Sequence, residues 1–307
     1  MDLHRLGLIS ARVNNFVLVA RLGSIRQAAK ALNIAPSSVS RTIKQLEEDL
    51  ATPLFERAGQ RLKLTSAGEL LFYHIRQSTT ELNRAITEIN DLQGLRRGTV
   101  TLAVIESAAR GMVPEVLAAF WIRNPEITVD VRVTGSAEAA AMLSQGEADL
   151  ALVFDVRVPR NARRITAAAL PLGVMVAPGS RLTTHAGPLR VFDLAGERLV
   201  LSDSSLSLGS SVEDLFGGSY VEISRRTRTN SIRLMIDLAT RGLGTIVQTR
   251  LGVERELARG ELVFIPLSDP KLHPRRLLLL SRPKAEISDA ASAMAAAFAQ
   301  AVERLPT

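Results

Sequence analysis

Arg41, Lys44 and Gln45 share one face of a short amphipathic segment with the hydroxyls of Ser37 and Ser38. Long donors behind short polar groups suit holding phosphate and hydrogen-bonding base edges, not making or breaking bonds. That face turns away from Val39, Ile43, Leu46 and Leu50, whose steps of 4, 3 and 4 residues mark the inward side of a helix. The acids Glu47, Glu48 and Asp49 are held to the far end. The short polar residues Ser37 and Ser38 therefore stand at the positive end of the helix dipole, an arrangement that suits a helix N-terminus entering a nucleic-acid groove. A second basic set, Arg57, Arg61 and Lys63, has only Glu56 among it as an acid and suits a phosphate backbone or a minor groove.

Charge and composition leave little room for other chemistry. The 307-residue chain carries a net +7, and residues 1–97 hold 14 lysines and arginines against 9 acids, so most of the excess precedes a nearly neutral body. With 46% hydrophobic and 22% charged residues, the chain has an ordinary globular composition and is long enough for two or three domains. The absence of cysteine removes disulfides, thiolate metal sites and thiol nucleophiles. The four histidines, His4, His74, His185 and His273, form no HExxH pair, and there is no GxSxG motif, so no enzyme, metal or cofactor is expected. The N-terminus lacks the apolar run of a secretory signal, and Ala290–Val302 is too short for a bilayer that needs about 20 apolar residues. A cytoplasmic protein without a membrane partner is the expectation.

The flanking sequence supplies a scaffold for the basic face. Phe16, Val17, Val19 and Ala20 follow helical spacing up to Leu22-Gly23. Ser24, with Gln27 three residues on, reads as a capping box opening a helix over Ile25–Leu32. After a brief break, Pro36 suits the first turn of the basic helix, which makes a helix-turn-helix pair. Residues 53–57 and 62–65 read as two short strands around the turn Ala58-Gly59-Gln60, a wing. A long helix then opens at Ser66, capped by Ser66 with Glu69 in its first turn. Its seam of Leu71, Ile75, Ser78, Leu82, Ala85, Ile89 and Leu92 alternates steps of 4 and 3. Such a seam could be buried on its own domain, but the helix length favours a partner helix and a dimer. Gly94 and Arg96-Arg97-Gly98 mark a hinge.

The runs Gly23-Ser24-Ile25-Arg26-Gln27-Ala28-Ala29-Lys30-Ala31-Leu32 and Val39-Ser40-Arg41-Thr42-Ile43-Lys44-Gln45-Leu46-Glu47 resemble the LysR-type transcriptional regulator family. Pro53-Leu54-Phe55-Glu56-Arg57 and Leu64-Thr65-Ser66-Ala67-Gly68 continue the resemblance at the expected separations. The resemblance implies DNA contacts at Pro36, Ser37, Ser38, Ser40 and Arg41 and, on the wing, at Arg57; Ser24, Lys44, Arg61 and Lys63 complete the expected DNA-contacting set. It also implies a homodimer that assembles to a homotetramer, a small-molecule effector, and RNA polymerase as a further partner on double-stranded promoter DNA. One departure stands out: many members carry Gln-Pro where this chain has Pro36-Ser37, so a glutamine able to read adenine is missing.

Beyond Gly98 the pattern becomes alternating strands and helices, which predicts parallel sheets with crossover helices. Strands over 99–105, 128–133 and 149–154, with helices over 113–123 and 137–143, make one βαβαβ unit. A second set follows, with strands over 172–177, 198–201, 220–223 and 244–248 and helices over 231–241 and 252–259, before a return through Leu277–Leu280 and a final helix. The expected fold class is α/β: a winged helix-turn-helix (residues 1–65), a linker helix and hinge (66–97), and a two-lobed effector domain (98–307) like that of periplasmic binding proteins. Lobe I is expected over 98–168 and 267–307, and lobe II over 169–266. Ligands in such sheets bind beyond the carboxyl ends of strands. This rule selects Glu106, Ser107, Ala108, Thr134, Gly135, Ser136 and Asp155 in lobe I. In lobe II it selects Ser202, Asp203, Ser204, Thr229, Asn230 and Gln248. Each could equally be a helix cap. Glu106, Asp155 and Asp203 suggest a cationic or donor-rich effector, whereas helix N-termini favour a carboxylate. An enzyme, a solute-capture protein and an architectural DNA binder are the rival readings; the missing motifs, the DNA module and the two-lobed body respectively count against them.

Overall fold

Ser10 accepts a hydrogen bond from Val13 N and opens α1, Ala11–Leu22, which ends where Gly23 takes a left-handed φ of 62°. Ser24 Oγ accepts from Gln27 N at 3.4 Å and opens α2, Ile25–Leu32; α3, Pro36–Asp49, starts on its proline. The computed structural model describes residues 3–4, 6–58, 61–92, 98–203, 224–269, 272–283 and 286–306. The chain divides into two units, Met1–Leu95 and Arg96–Thr307. The expected strand over 220–223, Ser204, the wing tip at Gly59 and Gln60, the hinge at 93–97 and the Leu92 side chain lie outside the described residues.

In the first unit, Phe16, Val19, Ala28, Ala29, Val39, Ile43 and Leu54 form a fully buried core. The Phe16 ring lies 5.4 Å from that of Phe55 and 6.4 Å from that of Phe72. Leu50, expected on this inward face, instead follows the end of α3 and is 47% exposed. Strands β1, Phe55–Ala58, and β2, Arg61–Leu64, pair antiparallel as the wing. Glu47 Oε1 accepts from Leu54 N and Phe55 N, which ties the wing to the last turns of α3.

The long helix α4, Ser66–Leu92, corrects the expected cap by one residue. Thr65, not Ser66, is the cap: its hydroxyl accepts from Gly68 N at 3.1 Å and donates to Pro53 O at 2.7 Å. The seam also divides. Leu71 and Ile75 pack on the core of their own unit together with Phe72, whereas Ala85 and Ile89 are exposed. Arg76 is buried over the Phe72 ring, and burial, with Arg21 nearby, lowers its guanidinium pKa to about 10. At Gly68 a β-carbon would collide with the Leu54 carbonyl oxygen and sit 2.9 Å from Leu64 Cδ2. Gly68→Ala is therefore expected to cost this unit about 1–3 kcal/mol through overpacking. Urea denaturation followed by far-ultraviolet circular dichroism measures it, and an unchanged midpoint would refute the close-packing account.

The second unit begins with a five-stranded sheet of order β4-β3-β5-β12-β6. Its strands are β3 (Gly98–Val104), β4 (Ile127–Val133), β5 (Leu150–Phe154), β6 (Arg163–Leu170) and β12 (Arg275–Ser281). β3 runs parallel to β4 and β5, as the βαβαβ pattern requires, and β12 runs antiparallel between β5 and β6. Alternate residues feed two cores. Leu102, Leu152 and Leu279 face helices α6 (Met112–Arg123) and α10 (Asp289–Glu303), whereas Ala103, Val153 and Leu278 face α7 (Ser136–Ser144). A short helix α5, Glu106–Arg110, precedes α6.

In the second lobe, β7 (Gly173–Val176) lies between antiparallel β10 (Ile246–Gln248) and β11 (Val263–Pro266). β8 (Arg198–Ser202) and β9 (Ser224–Thr229) pair in parallel, and a Leu199–Thr245 bridge joins them to the rest. Helices α8 (Ile232–Thr240), capped by Ser231, and α9 (Glu254–Ala258) complete the lobe. The five-stranded sheet is therefore mixed, and the second lobe combines an antiparallel three-stranded sheet with a parallel pair, where parallel sheets were expected. The lobe boundaries also shift. β6 holds Leu170 in the first sheet, so the first crossing lies at Pro171 rather than after 168, and Leu267 still bridges to Leu189 in the second lobe.

Candidate functional sites

α3 differs from its neighbours at its N-terminus. α1 and α2 have serine side chains on their first N–H groups, but α3 begins at Ala35, which provides no side-chain cap. The positive end of α3 is thus left without an internal acceptor side chain, and Pro36, Ser37, Ser38, Ser40, Arg41, Lys44 and Gln45 around it are all exposed. Thr42 Oγ1 donates to Ser38 O, and Lys44 pairs with Glu48 one turn on at 3.5 Å. Ser24, placed with the DNA-contacting set, has its oxygen engaged as the α2 cap. In the wing, the register sets Glu56 opposite Lys63 and Arg57 opposite Leu62. Arg61 and Lys63 therefore share one face with Glu56, and Arg57 stands on the other face, so the three bases do not form a single cluster.

The lobe I residues chosen by the strand-end rule fall into two groups. Several are engaged in holding the sheet together. Ser136 Oγ accepts from Phe154 N at 3.0 Å, and Thr134 Oγ1 bonds the Glu138 carboxylate. Asp155, at φ 48°, accepts from Arg276 N at 2.8 Å and pairs with the buried Arg275, whose guanidinium lies 4.9 Å over the Phe154 ring. The carboxylate of Asp155 is thus engaged by Arg275 and by the Arg276 main chain. Ser107 and Ala108 are buried in α5, with Ser107 O accepting from Gly111 N.

Glu106 is different, because its carboxylate crosses to lobe II. Its Oε2 accepts from Ile232 N at 2.9 Å and its Oε1 from Arg233 N at 3.0 Å, the first two N–H groups of α8. The segment leading into that helix is Thr229-Asn230-Ser231, where Thr229 Oγ1 accepts from Ser231 N and Thr229 O accepts from Asp203 N. Ser202 pairs in register with Thr229. The structure therefore gathers Glu106, Ser202, Asp203, Thr229 and Asn230 around one helix start. Gln248 is buried, with its Oε1 accepting from Thr249 N.

The sequence reading missed Arg110, at the other end of α5. Its Nε donates to Gly252 O at 3.0 Å, and its Nη2 pairs with Glu256 at 2.6 Å. The acid-to-base spacing from Glu106 to Arg110 across one turn was the available signal. Gly252, at φ 85°, packs so closely on Ser107 that a β-carbon would meet Ser107 O at 2.7 Å. Glu254 accepts from Gly252 N, and burial raises its carboxyl pKa. Among the described residues, no group of three histidine, aspartate or glutamate side chains is placed to hold a metal, and no helix is long and apolar enough to cross a membrane.

A winged helix-turn-helix followed in the same chain by a two-lobed α/β unit defines a DNA-binding regulator with a small-molecule-binding body. The family model for the LysR substrate binding domain matches residues 93–303, and that for the bacterial regulatory helix-turn-helix protein, lysR family, matches residues 11–69. The chain belongs to the LysR family of transcriptional regulators, whose members bind DNA and small-molecule effectors and are not enzymes. It is 25% identical over 282 residues to a probable RuBisCO transcriptional regulator of Synechocystis, covering 90% of this chain and 81% of that protein. It is 38% identical over 137 residues to a probable nitrogen assimilation transcriptional activator of Synechococcus elongatus, covering 45% of this chain and 44% of the other. Among solved structures, full-length OxyR from Pseudomonas aeruginosa superposes with a TM-score of 0.67 at 17% identity, covering 93% of each chain. CbnR in complex with its target DNA superposes with a TM-score of 0.60 at 18% identity, covering 98% of this chain and all of that one.

Proposed function

We propose that this regulator reads promoter DNA with the first turns of α3 and responds to an effector held between its lobes. Pro36, Ser37, Ser38, Ser40 and Arg41 face base edges in the major groove. Lys44 and the α3 N-terminus meet phosphate, Ser24 lies at the backbone, and Arg57, Arg61 and Lys63 contact the flanking backbone or minor groove. The unequal caps of the three helices carry this reading, because only α3 leaves its N-terminal dipole to an outside anion. Residues 1–65 act as the DNA-binding domain, 66–97 as the linker and 98–307 as the effector domain. The distal seam of Leu82, Ala85, Ile89 and Leu92 pairs two copies, with Leu71 and Ile75 anchoring each α4 to its own unit, and the dimers join as tetramers. The protein works in the cytoplasm, and RNA polymerase is its further partner on the promoter.

Fluorescence anisotropy on DNA from upstream of its own gene, over a salt series, tests the reading. Arg41→Ala is expected to weaken sequence-specific binding by about 1–3 kcal/mol. Lys44→Ala is expected to lower affinity for all sequences and flatten the salt dependence by about one unit of slope. Sequence-blind binding that Arg41→Ala leaves unchanged would refute α3 as the reading helix.

A further inference from the structure

α5 is five residues long, yet both of its ends grip the opposite lobe. Glu106 seats its carboxylate on the N-terminus of α8, and Arg110 holds the Gly252 carbonyl and Glu256. Each charge suits its own end of α5, and Glu106 additionally sits at the positive end of the nine-residue α8. Two main-chain N–H groups taken by the two oxygens of one carboxylate is the arrangement a bound carboxylic acid would adopt at that helix end.

A second feature lies beside the first. Ser202 is 3% exposed, and its Oγ has no hydrogen-bond partner among the described residues. Two residues before it on β8, Val200 packs with Ile232, Met235 and Ile236 of α8, so strand alternation aims Ser202 at the same face, toward the helix start. An unsatisfied buried hydroxyl costs free energy unless something bonds to it.

We infer that Glu106 is a tethered anion occupying a carboxylate-binding position at the N-terminus of α8, and that small-molecule carboxylates compete with it there as the effector class. The inference rests on the effector-cleft reading and adds the ligand's chemistry. A free carboxylate on Ile232 N and Arg233 N displaces Glu106 and releases one of the two grips of α5. Ser202 Oγ is then available to a second polar group on the ligand. Of the two ligand chemistries left open by the sequence, the cationic one loses its support from Asp155, which Arg275 already neutralises.

Scanning calorimetry on the full-length protein tests this, with sodium formate and acetate as probes against sodium chloride at equal ionic strength and the neutral formamide and acetamide. Glu106→Ala vacates the position and is expected to melt below wild type. Formate or acetate should raise its melting temperature, with half-saturation at about tenfold lower concentration than in wild type, because a plugged site is competent only while the plug is out. The amides should have no such effect. Glu106→Ser vacates the same position with a polar group at the start of α5, and repeats the test if the alanine chain fails to fold. Equal carboxylate responses in wild type and variant, no response in either variant, or amides matching carboxylates would overturn the inference. Anisotropy on operator DNA separates the two readings: carboxylate uptake that leaves DNA affinity unchanged keeps the tethered anion and overturns the effector role of the cleft.

Discussion

Asp149→Ala is expected to destabilise the second unit by about 3–5 kcal/mol, the scale of loss when one member of a buried ion pair is removed. Asp149 bonds two groups at the base of the five-stranded sheet: its Oδ2 accepts from Thr101 N at 2.9 Å, and its Oδ1 pairs with Arg282 Nη2. The Arg282 side chain is 6% exposed, and its Nε and Nη1 have no partner among the described residues. Alanine at 149 would leave a buried guanidinium without its counter-charge and a strand N–H without its acceptor. The single tryptophan reports on this lobe: Trp121 lies on α6, with its Nε1 donating to Ile127 O. Urea titration followed by tryptophan fluorescence should show the transition at much lower denaturant. Asp149→Asn, which keeps an acceptor for Thr101, should lose less. A midpoint for Asp149→Ala within experimental scatter of wild type would mean that Arg282 finds another partner.

Phe16→Ala should be comparably severe in the first unit, at about 3–5 kcal/mol. Phe16 is fully buried where α1, the wing strand β1 and helix α4 converge, in ring contact with Phe55 and Phe72. A cavity there loosens the seating of α3 and the wing together, so sequence-specific DNA binding should fall with the fold. The tryptophan transition of the second unit should remain where it was, because Phe16 belongs to a separate core. Retained operator affinity after Phe16→Ala would show that the recognition helix does not depend on this core.

The elements that read well from sequence are those whose signals are local. Ser24, Gly23 and Pro36 act within a turn of themselves, and the apolar spacing of α3 is visible without knowing its neighbours. The βαβαβ half of the first sheet reads equally well, because buried parallel strands such as Leu150–Phe154 are continuous apolar runs. β6 and β9 were missed for the converse reason. Arg163–Leu170 is an alanine run behind two arginines, and Ser224–Thr229 has no large apolar residue, so each owes its strand conformation to the neighbour it pairs with. Thr65 and Ser66 are both plausible caps, and the choice falls to the threonine that can also reach Pro53 O. In the cleft, residue types were legible but partners were not: Asp155 and Arg275 are 120 positions apart, and Glu106 and Ile232 are 126 apart.

The place of β12 has a consequence for synthesis. This strand sits between β5 and β6 in the first sheet, but the ribosome makes it after the whole of the second lobe. At about 5–20 residues per second, β3 to β6 wait several seconds for the strand that joins β5 to β6. During that wait β5, apolar on both faces, has an open edge of the kind that pairs with other chains. A nascent chain stopped before Arg275 would carry the second lobe whole beside a first sheet that lacks the strand between β5 and β6.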